Sequence, residues 1–366
     1  MTFLRPLTSG VVTTEGAKVM NKRCELIYKH LMDAESRYLF EKRIMYYLTR
    51  DYRYISDIVE HLPQKVKLNE NVEKCKTVKD HLIVWGAGND YKILKDLYPD
   101  FDFFTFCDKD EVKQETGWDG KKVISPDDLV SKYSSFPIMI NTTGFHKEMK
   151  DFLLRNGIEE EQIIDMGEIT ASLYDAQYFD ADIMRPMDKE VFIDGGAYDL
   201  NTTRLFHEWC SGRYKKIFAF EPDKINFELC RKKLAEKPLE KLELLNKGCW
   251  NREDMLCFSA TGGQGSKIIG EERGNVVRIE TAAIDDIVGD SAVTFIKLDV
   301  EGAELRALEG AKECIMRYHP RLAVCLYHKL EDIIEIPAYI LSLSDEYQLY
   351  IRHYQMSANE TVLYAV

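Results

Sequence analysis

The sequence predicts an α/β protein made of two Rossmann-like, doubly wound domains behind an N-terminal helical segment. Three observations carry this. Apolar runs of strand length alternate with helix-length segments in two zones, 79–166 and 190–366, the grammar of a parallel sheet covered by helices. In each zone the first run leads straight into a glycine turn, Gly86-Ala87-Gly88 in one and Gly195-Gly196-Ala197 in the other. At 366 residues the chain exceeds what one ordinary core supports, so two domains are the expectation.

The elements follow in order. Leu26, Ile27, Leu31, Tyr38, Leu39 and Ile44 recur at three-to-four spacing, which predicts helix over 18–62 within a helical leader spanning 1–75. The polar stretch 64–79 reads as a linker. The leader is expected to pack as an interdomain element or to join two copies in a homodimer. An accessory domain over 76–170 has strand patterns at 81–85, 101–107, 138–140 and 163–164, with helices at 90–97 and 147–156. The last domain, 185–366, has strand patterns at 191–193, 216–220, 242–245, 293–298 and 321–327, then two more at 347–353 and 361–366 joined by a short turn. The loop 260–266, rich in glycine, lies between strand-like 255–259 and 276–281 and reads as a lid, an acceptor-binding loop or a plain hairpin turn.

Composition narrows the function. A net charge of -13 and a pI near 5.2 weigh against a polyanionic partner, so no nucleic acid is expected. No apolar run approaches the roughly 18 residues of a membrane span, and 1–20 does not read as a signal peptide. The nine cysteines are scattered singly with no CxxC pair, which reads as reduced thiols in a cytoplasmic protein and not as zinc or dithiol chemistry.

Three strand ends in the last domain carry the chemistry. Val191-Phe192-Ile193 runs into Asp194-Gly195-Gly196-Ala197, where missing Cβ atoms let backbone approach a ligand at a sheet's switch point. The charge of Asp194 in that turn suits an ammonium better than a pyrophosphate. Phe218-Ala219-Phe220 ends at Glu221-Pro222, an acidic residue at the separation of roughly 20–30 positions from the first turn at which a carboxylate meets the ribose hydroxyls of a nucleoside. Ile296-Lys297-Leu298-Asp299-Val300-Glu301-Gly302-Ala303-Glu304 places four ionisable groups where cofactor and acceptor would meet, with Lys297 and Asp299 on one side of the strand. Glu301 and Glu304 also suit the start of the helix that follows. Trp250 is read either as a flank for an adenine ring or as core.

These motifs, in this order and with a closing strand pair, resemble the FkbM family of methyltransferases over residues 190–366. The run Ile296 to Glu304 is the most specific. The resemblance implies a class I methyltransferase fold with an antiparallel closing hairpin, S-adenosylmethionine as cofactor, and transfer of its methyl group to a hydroxyl of a small molecule such as a saccharide or glycoconjugate precursor. Carried over residue by residue, it implies cofactor contacts at Asp194, Gly195, Gly196, Ala197, Glu221, Pro222 and Asp299, to which Trp250 is added in its reading as the adenine flank. One departure is Leu200, which stands where the family has a glycine and would either crowd the cofactor or reshape the helix entry.

A hydroxyl acceptor needs a base, or a metal that lowers its pKa. His328, expected at the end of the fifth strand, is the first candidate base, Asp299 the second, and Lys297 completes the candidate catalytic set; no metal is assigned. The first zone offers less. Its fingerprint Gly86-Ala87-Gly88-Asn89-Asp90-Tyr91 has an aromatic in place of the third glycine. Such domains resemble those beside sugar-modifying enzymes. The alternative function is an NAD(P)- or nucleotide-sugar-binding protein whose methyltransferase domain is degenerate, serving as scaffold or oxidoreductase.

Overall fold

The computed structural model describes residues 14–259, 267–268 and 276–366. It divides into two compact units, one holding Tyr52–Gln177 and Tyr354–Ala358, the other the residues through Asp51, Tyr178–His353 and Asn359–Val366. The helices of the expected leader therefore part company: Thr14–His30 and Ala34–Thr49 belong to the second-named unit, Arg53–Glu60 and Pro63–Thr77 to the first.

The smaller unit has a five-stranded sheet in the order β3-β2-β1-β4-β5, formed by β1 (Ile83–Trp85), β2 (Thr105–Cys107), β3 (Val123–Ile124), β4 (Ile138–Ile140) and β5 (Ile163–Asp165), every pair parallel. Only β3 has no counterpart among the expected strands, because two residues are too short to show a period. The stretch expected as a linker, 64–79, is instead the helix Pro63–Thr77. Pro63 sits in its first turn, where the absent N–H has no partner to lose, and Leu68, Val72 and Cys75 bury one stripe. Lysines, glutamates and asparagines on its other faces hid that stripe. The aromatic at the third glycine position, Tyr91, is buried and meets the Phe106 ring edge-on at 4.7 Å, so it is core.

In the larger unit the main sheet has seven strands in the order β15-β16-β14-β13-β6-β7-β8. These are β6 (Glu190–Gly195), β7 (Tyr214–Phe220), β8 (Leu242–Leu245), β13 (Phe295–Leu298), β14 (Arg321–Cys325), β15 (Leu349–His353) and β16 (Thr361–Ala365). β16 inserts antiparallel between β14 and β15, the closing hairpin of a class I methyltransferase fold. A smaller sheet, β11-β10-β12-β9, is made by β9 (Gly248–Trp250), β10 (Asp254–Ser259), β11 (Lys267–Ile268) and β12 (Val276–Ala283). The glycine-rich loop 260–266 lies outside the described residues.

Alternate residues of the central strands send large rings into one core. Phe192 of β6 stacks on Phe206 of the helix Asn201–Trp209 at 4.1 Å, with Phe295 of β13 packed against both. The first two helices cover the outer strand β15. The Ile351 N–H donates to Ser36 Oγ at 2.9 Å, and the Met32 N–H donates to the Leu349 carbonyl at 3.0 Å. An edge that would otherwise present unpaired backbone is thereby closed. Among the described residues no helix is long and apolar enough to cross a membrane.

Candidate active site

Strand order in the seven-stranded sheet reverses between β6 and β13, so their C-terminal ends frame the crevice that open α/β sheets use for ligands. A cleft of about 240 Å³ lies there. Its walls come from three places: the loop after β6 (Gly196 to Asp199), the end of β7 (Phe220, Glu221, Pro222), and the turn after β13 (Asp299 to Glu301).

The expected residues fall into two classes. Gly196, Ala197, Glu221, Pro222, Lys297 and Asp299 line the cleft. Asp194, Gly195, Trp250 and His328 do not, and each has a different occupation. The Asp194 carboxylate is fully buried, accepting from the Lys297 ammonium at 3.0 Å and from the Thr203 hydroxyl at 2.6 Å. It faces an internal cation, where the sequence suggested a ligand's ammonium. A Cβ on Gly195 would meet Leu298 Cδ2 at 2.7 Å, so that glycine serves packing between β6 and β13. Trp250 lies one residue beyond Cys249, and alternation along β9 turns Cys249 to the cleft and Trp250 away. The Trp250 carbonyl sits against Gly310, where a Cβ would lie 2.0 Å from it.

Lys297 holds the loop together. Its side chain is buried and donates to Asp194, to the Gly195 carbonyl at 3.2 Å and to the Gly196 carbonyl at 2.8 Å. Burial alone would lower its pKa, but the Asp194 and Asp299 carboxylates outweigh it and hold the ammonium above the usual lysine value. With all three N–H bonds engaged, Lys297 positions the loop and has no proton to offer a substrate. Gly196 takes φ +82°, and a Cβ there would fall 1.9 Å from the Asp299 carbonyl. The glycine thus lets the first loop close on the turn after β13.

Leu200 resolves the departure from the family pattern. It adopts the left-handed conformation at φ 65°, which glycine would take without strain, yet its side chain is completely buried with Ala197, Ala219 and Cys230. It fills core and does not line the cleft.

Glu221 is held for a ligand. One carboxylate oxygen accepts from the Tyr198 N–H at 2.8 Å and the other from the Asp223 N–H at 2.8 Å. Burial, opposed by those backbone donors, pushes its pKa up to about 7. The Asn226 side chain is a further hydrogen-bond partner of this carboxylate, which lines the cleft. Beside it, Pro222, Gly248 and Ile279 form a close apolar patch: a Cβ on Gly248 would lie 3.8 Å from Pro222 Cβ and 3.3 Å from Ile279 Cδ1. The cleft thus sets a hydrogen-bond-accepting carboxylate next to an apolar patch.

The acceptor side is acidic. Asp299 accepts from the Tyr178 hydroxyl at 3.0 Å and the Tyr327 hydroxyl at 3.2 Å. Burial would raise its pKa, but Lys297, His328 and the two hydroxyls bring it below the usual aspartate value. Glu301, a cleft residue in the left-handed region at φ 54°, carries the backbone strain that clusters at functional sites. β14 ends at Cys325, so His328 lies beyond the strand in a turn. Its Nδ1 is 2.8 Å from Glu304 Oε1, and its Nε2 is 3.4 Å from Glu301 Oε2 and 3.6 Å from Asp299 Oδ1. Burial alone would lower its pKa; the Glu301, Glu304 and Asp299 carboxylates win and push it up to about 11. Both ring nitrogens therefore face carboxylates, and the ring stands outside the lining of the cleft. Tyr178 and Tyr327 had no sequence signal, since single tyrosines outside a motif look like any others; Glu301 was visible but explained away by the helix behind it.

In the smaller unit, Gly86 takes φ +118° because a Cβ there would lie 2.6 Å from the Asn141 carbonyl. The hollow beside it is lined by Asp90, Asn141, Ile93, Leu97, Leu173 and others, with no basic residue among them. That lining does not suit a pyrophosphate.

Comparison with known proteins agrees with the geometry. Residues 194–351 match the family model described as the Methyltransferase FkbM domain, and 78–164 match one described as C2185-like, N-terminal. No curated protein matches the chain. Among solved structures, an FkbM methyltransferase from Methylobacillus flagellatus is 18% identical, covering 86% of this chain and 100% of its own, with a TM-score of 0.48. An rRNA methylase from Streptococcus thermophilus is 17% identical over 50% of this chain and 89% of its own, at a TM-score of 0.33. A putative methyltransferase from Streptococcus mutans in complex with SAH is 12% identical over 54% and 97%, also at 0.33. Scores of this size carry nothing about chemistry. The family match bears on it: residues 194–351 match the Methyltransferase FkbM domain.

Proposed function

We propose that the protein methylates a hydroxyl of a small, polar, saccharide-like molecule. The observation that carries this reading is the pair of carboxylates, Asp299 and Glu301, on the wall of the cleft opposite Glu221 in the chain's order of strands, with the Tyr327 hydroxyl bonded to one of them. Such a wall offers acceptors to several hydroxyls at once. Glu221 and the Pro222–Ile279 patch would hold the nucleoside part of S-adenosylmethionine. Bound there, that cofactor supplies a methyl group that leaves its sulfonium sulfur for the acceptor oxygen, while the hydroxyl proton is lost to a carboxylate or to water. Lys297 keeps the first loop closed on the turn after β13. Asp299 orients the acceptor; held below the usual aspartate pKa, it is a weak base, and Glu301 is the nearer choice for receiving the proton. In-line positioning supplies most of the rate.

The test has two stages. Calorimetric titration with S-adenosylmethionine, S-adenosylhomocysteine and NAD is expected to show heat with the first two only. Incubation with methyl-labelled cofactor and a panel of nucleotide-sugars, glycans and non-sugar alcohols should then label an oxygen. Label confined to amines, or NAD binding in place of the adenosyl compounds, would sink the proposal.

A further inference from the structure

We propose that Asp299, Glu304 and His328 form a binding site for a divalent cation of the manganese and magnesium class, at the inner end of the methyltransferase cleft. One ligand atom from each of the three lies within 4.8 Å of the other two. Ligands bound to one such ion at roughly 2.0–2.3 Å lie at most about 4.6 Å apart, so small side-chain adjustments suffice. Carboxylates gathered at a strand end are common without a metal, and two further features single this group out. His328 is nine-tenths buried, and neither ring nitrogen makes an aligned hydrogen bond although Glu304 Oε1 is 2.8 Å from Nδ1. Glu304 is 1% exposed, and its Oε2 has no hydrogen-bond partner, while its Oε1 accepts from the Val300 N–H at 2.9 Å. A buried carboxylate oxygen and a buried imidazole, both lacking aligned partners and gathered with Asp299, are costly unless something joins them.

Charge points the same way. Asp299, Glu301 and Glu304 bring three carboxylates to one imidazole, while Lys297 serves Asp194 and two backbone carbonyls and Lys329 donates to the Gly302 carbonyl. A divalent ion that takes the imidazole lone pair displaces the ring proton and brings two positive charges to that set in place of one. Oxygen ligands with a single imidazole suit manganese or magnesium and do not suit the thiolate-seeking metals. Glu301, 3.4 Å from His328 Nε2 and part of the cleft lining, can add a fourth ligand, the third oxygen. This inference rests on the methyltransferase reading of the cleft for its purpose: an ion there would lower the pKa of a hydroxyl brought to Asp299 and Glu301.

The experiment is titration of manganese into the chelator-treated full chain without cofactor, read by loss of the free-ion electron paramagnetic resonance signal. One site per chain is expected, weakened at least tenfold in His328→Ala and in Glu304→Gln. Asp299→Asn, at the more exposed corner of the group, replaces either variant if its circular dichroism shows it unfolded. No uptake by the wild-type chain, or uptake undiminished in the folded variants, overturns the site. Calorimetry with S-adenosylhomocysteine in chelator reads the cofactor cleft separately. A chain that binds the adenosyl compound but no manganese refutes the metal site and spares the methyltransferase reading. Manganese uptake without adenosyl binding does the reverse.

Discussion

Two buried ionisable residues decide how the cleft behaves, and they act oppositely. Glu221 is raised to about 7 by burial, while its unfolded counterpart titrates near the ordinary glutamate value. Its raised pKa favours the folded state at low pH, and that contribution is lost as pH rises through 7. Cofactor affinity should move the other way, because the ionised carboxylate accepts from both ribose hydroxyls. Calorimetry with S-adenosylhomocysteine at pH 6 and pH 8 should show tighter binding at pH 8. Glu221→Gln should bind more weakly, with little difference between the two. Equal affinity in wild type at both pH values would contradict the ribose assignment. Lys297 is charged at any working pH and is matched to Asp194. Lys297→Met would leave that carboxylate buried without its cation, at a cost of about 3–5 kcal/mol in a denaturant melt. A loss under 1 kcal/mol would show that the pair matters little to the fold.

Among the elements, the strands of the main sheet were the most legible. Their alternating or continuous apolar runs ended at acidic residues and glycines, and 242–245 coincides with β8. Legibility failed where a reading depended on what lies opposite. Nothing in the string Asp194-Gly195-Gly196 says that the aspartate faces a lysine a hundred residues on, so its charge was assigned to a ligand. The helix Pro63–Thr77 was missed because three buried apolar residues among many polar ones give a weak period. The docking of the helix Ala34–Thr49 on β15 was equally hidden, since Ser36 gains its meaning only from the Ile351 N–H. That contact gives a prediction for the element. Ser36→Ala leaves a buried donor unpaired and should cost about 1–3 kcal/mol, read by chemical denaturation. A larger rise in aggregation than in unfolding would fit an outer strand no longer covered. A neutral effect would mean that water reaches the N–H.

For the molecule as a whole, the division into two units means that a ligand of one cleft stabilises the unit that owns it. S-adenosylhomocysteine at a hundred times its dissociation constant should stabilise the methyltransferase unit by about 2.7 kcal/mol and raise its melting temperature. Differential scanning calorimetry with and without ligand checks this; an unmoved transition would mean that the cleft does not bind it. The acidic balance of the chain, a net -13, was plain from composition, but its concentration beside the cleft was not.

The placement of β16 has a consequence in time. It lies inside the sheet, between β14 and β15, and the helices that cover β15 come from residues 14–49. While the ribosome works, those helices emerge more than three hundred residues before the strand they seal. The smaller unit, drawn mostly from one continuous stretch, can settle early from local contacts. The catalytic sheet must wait, with a greasy interior slot open, until residues 361–365 are made. Trigger-factor-like chaperones that shield nascent chains should therefore matter more to this half than to the other.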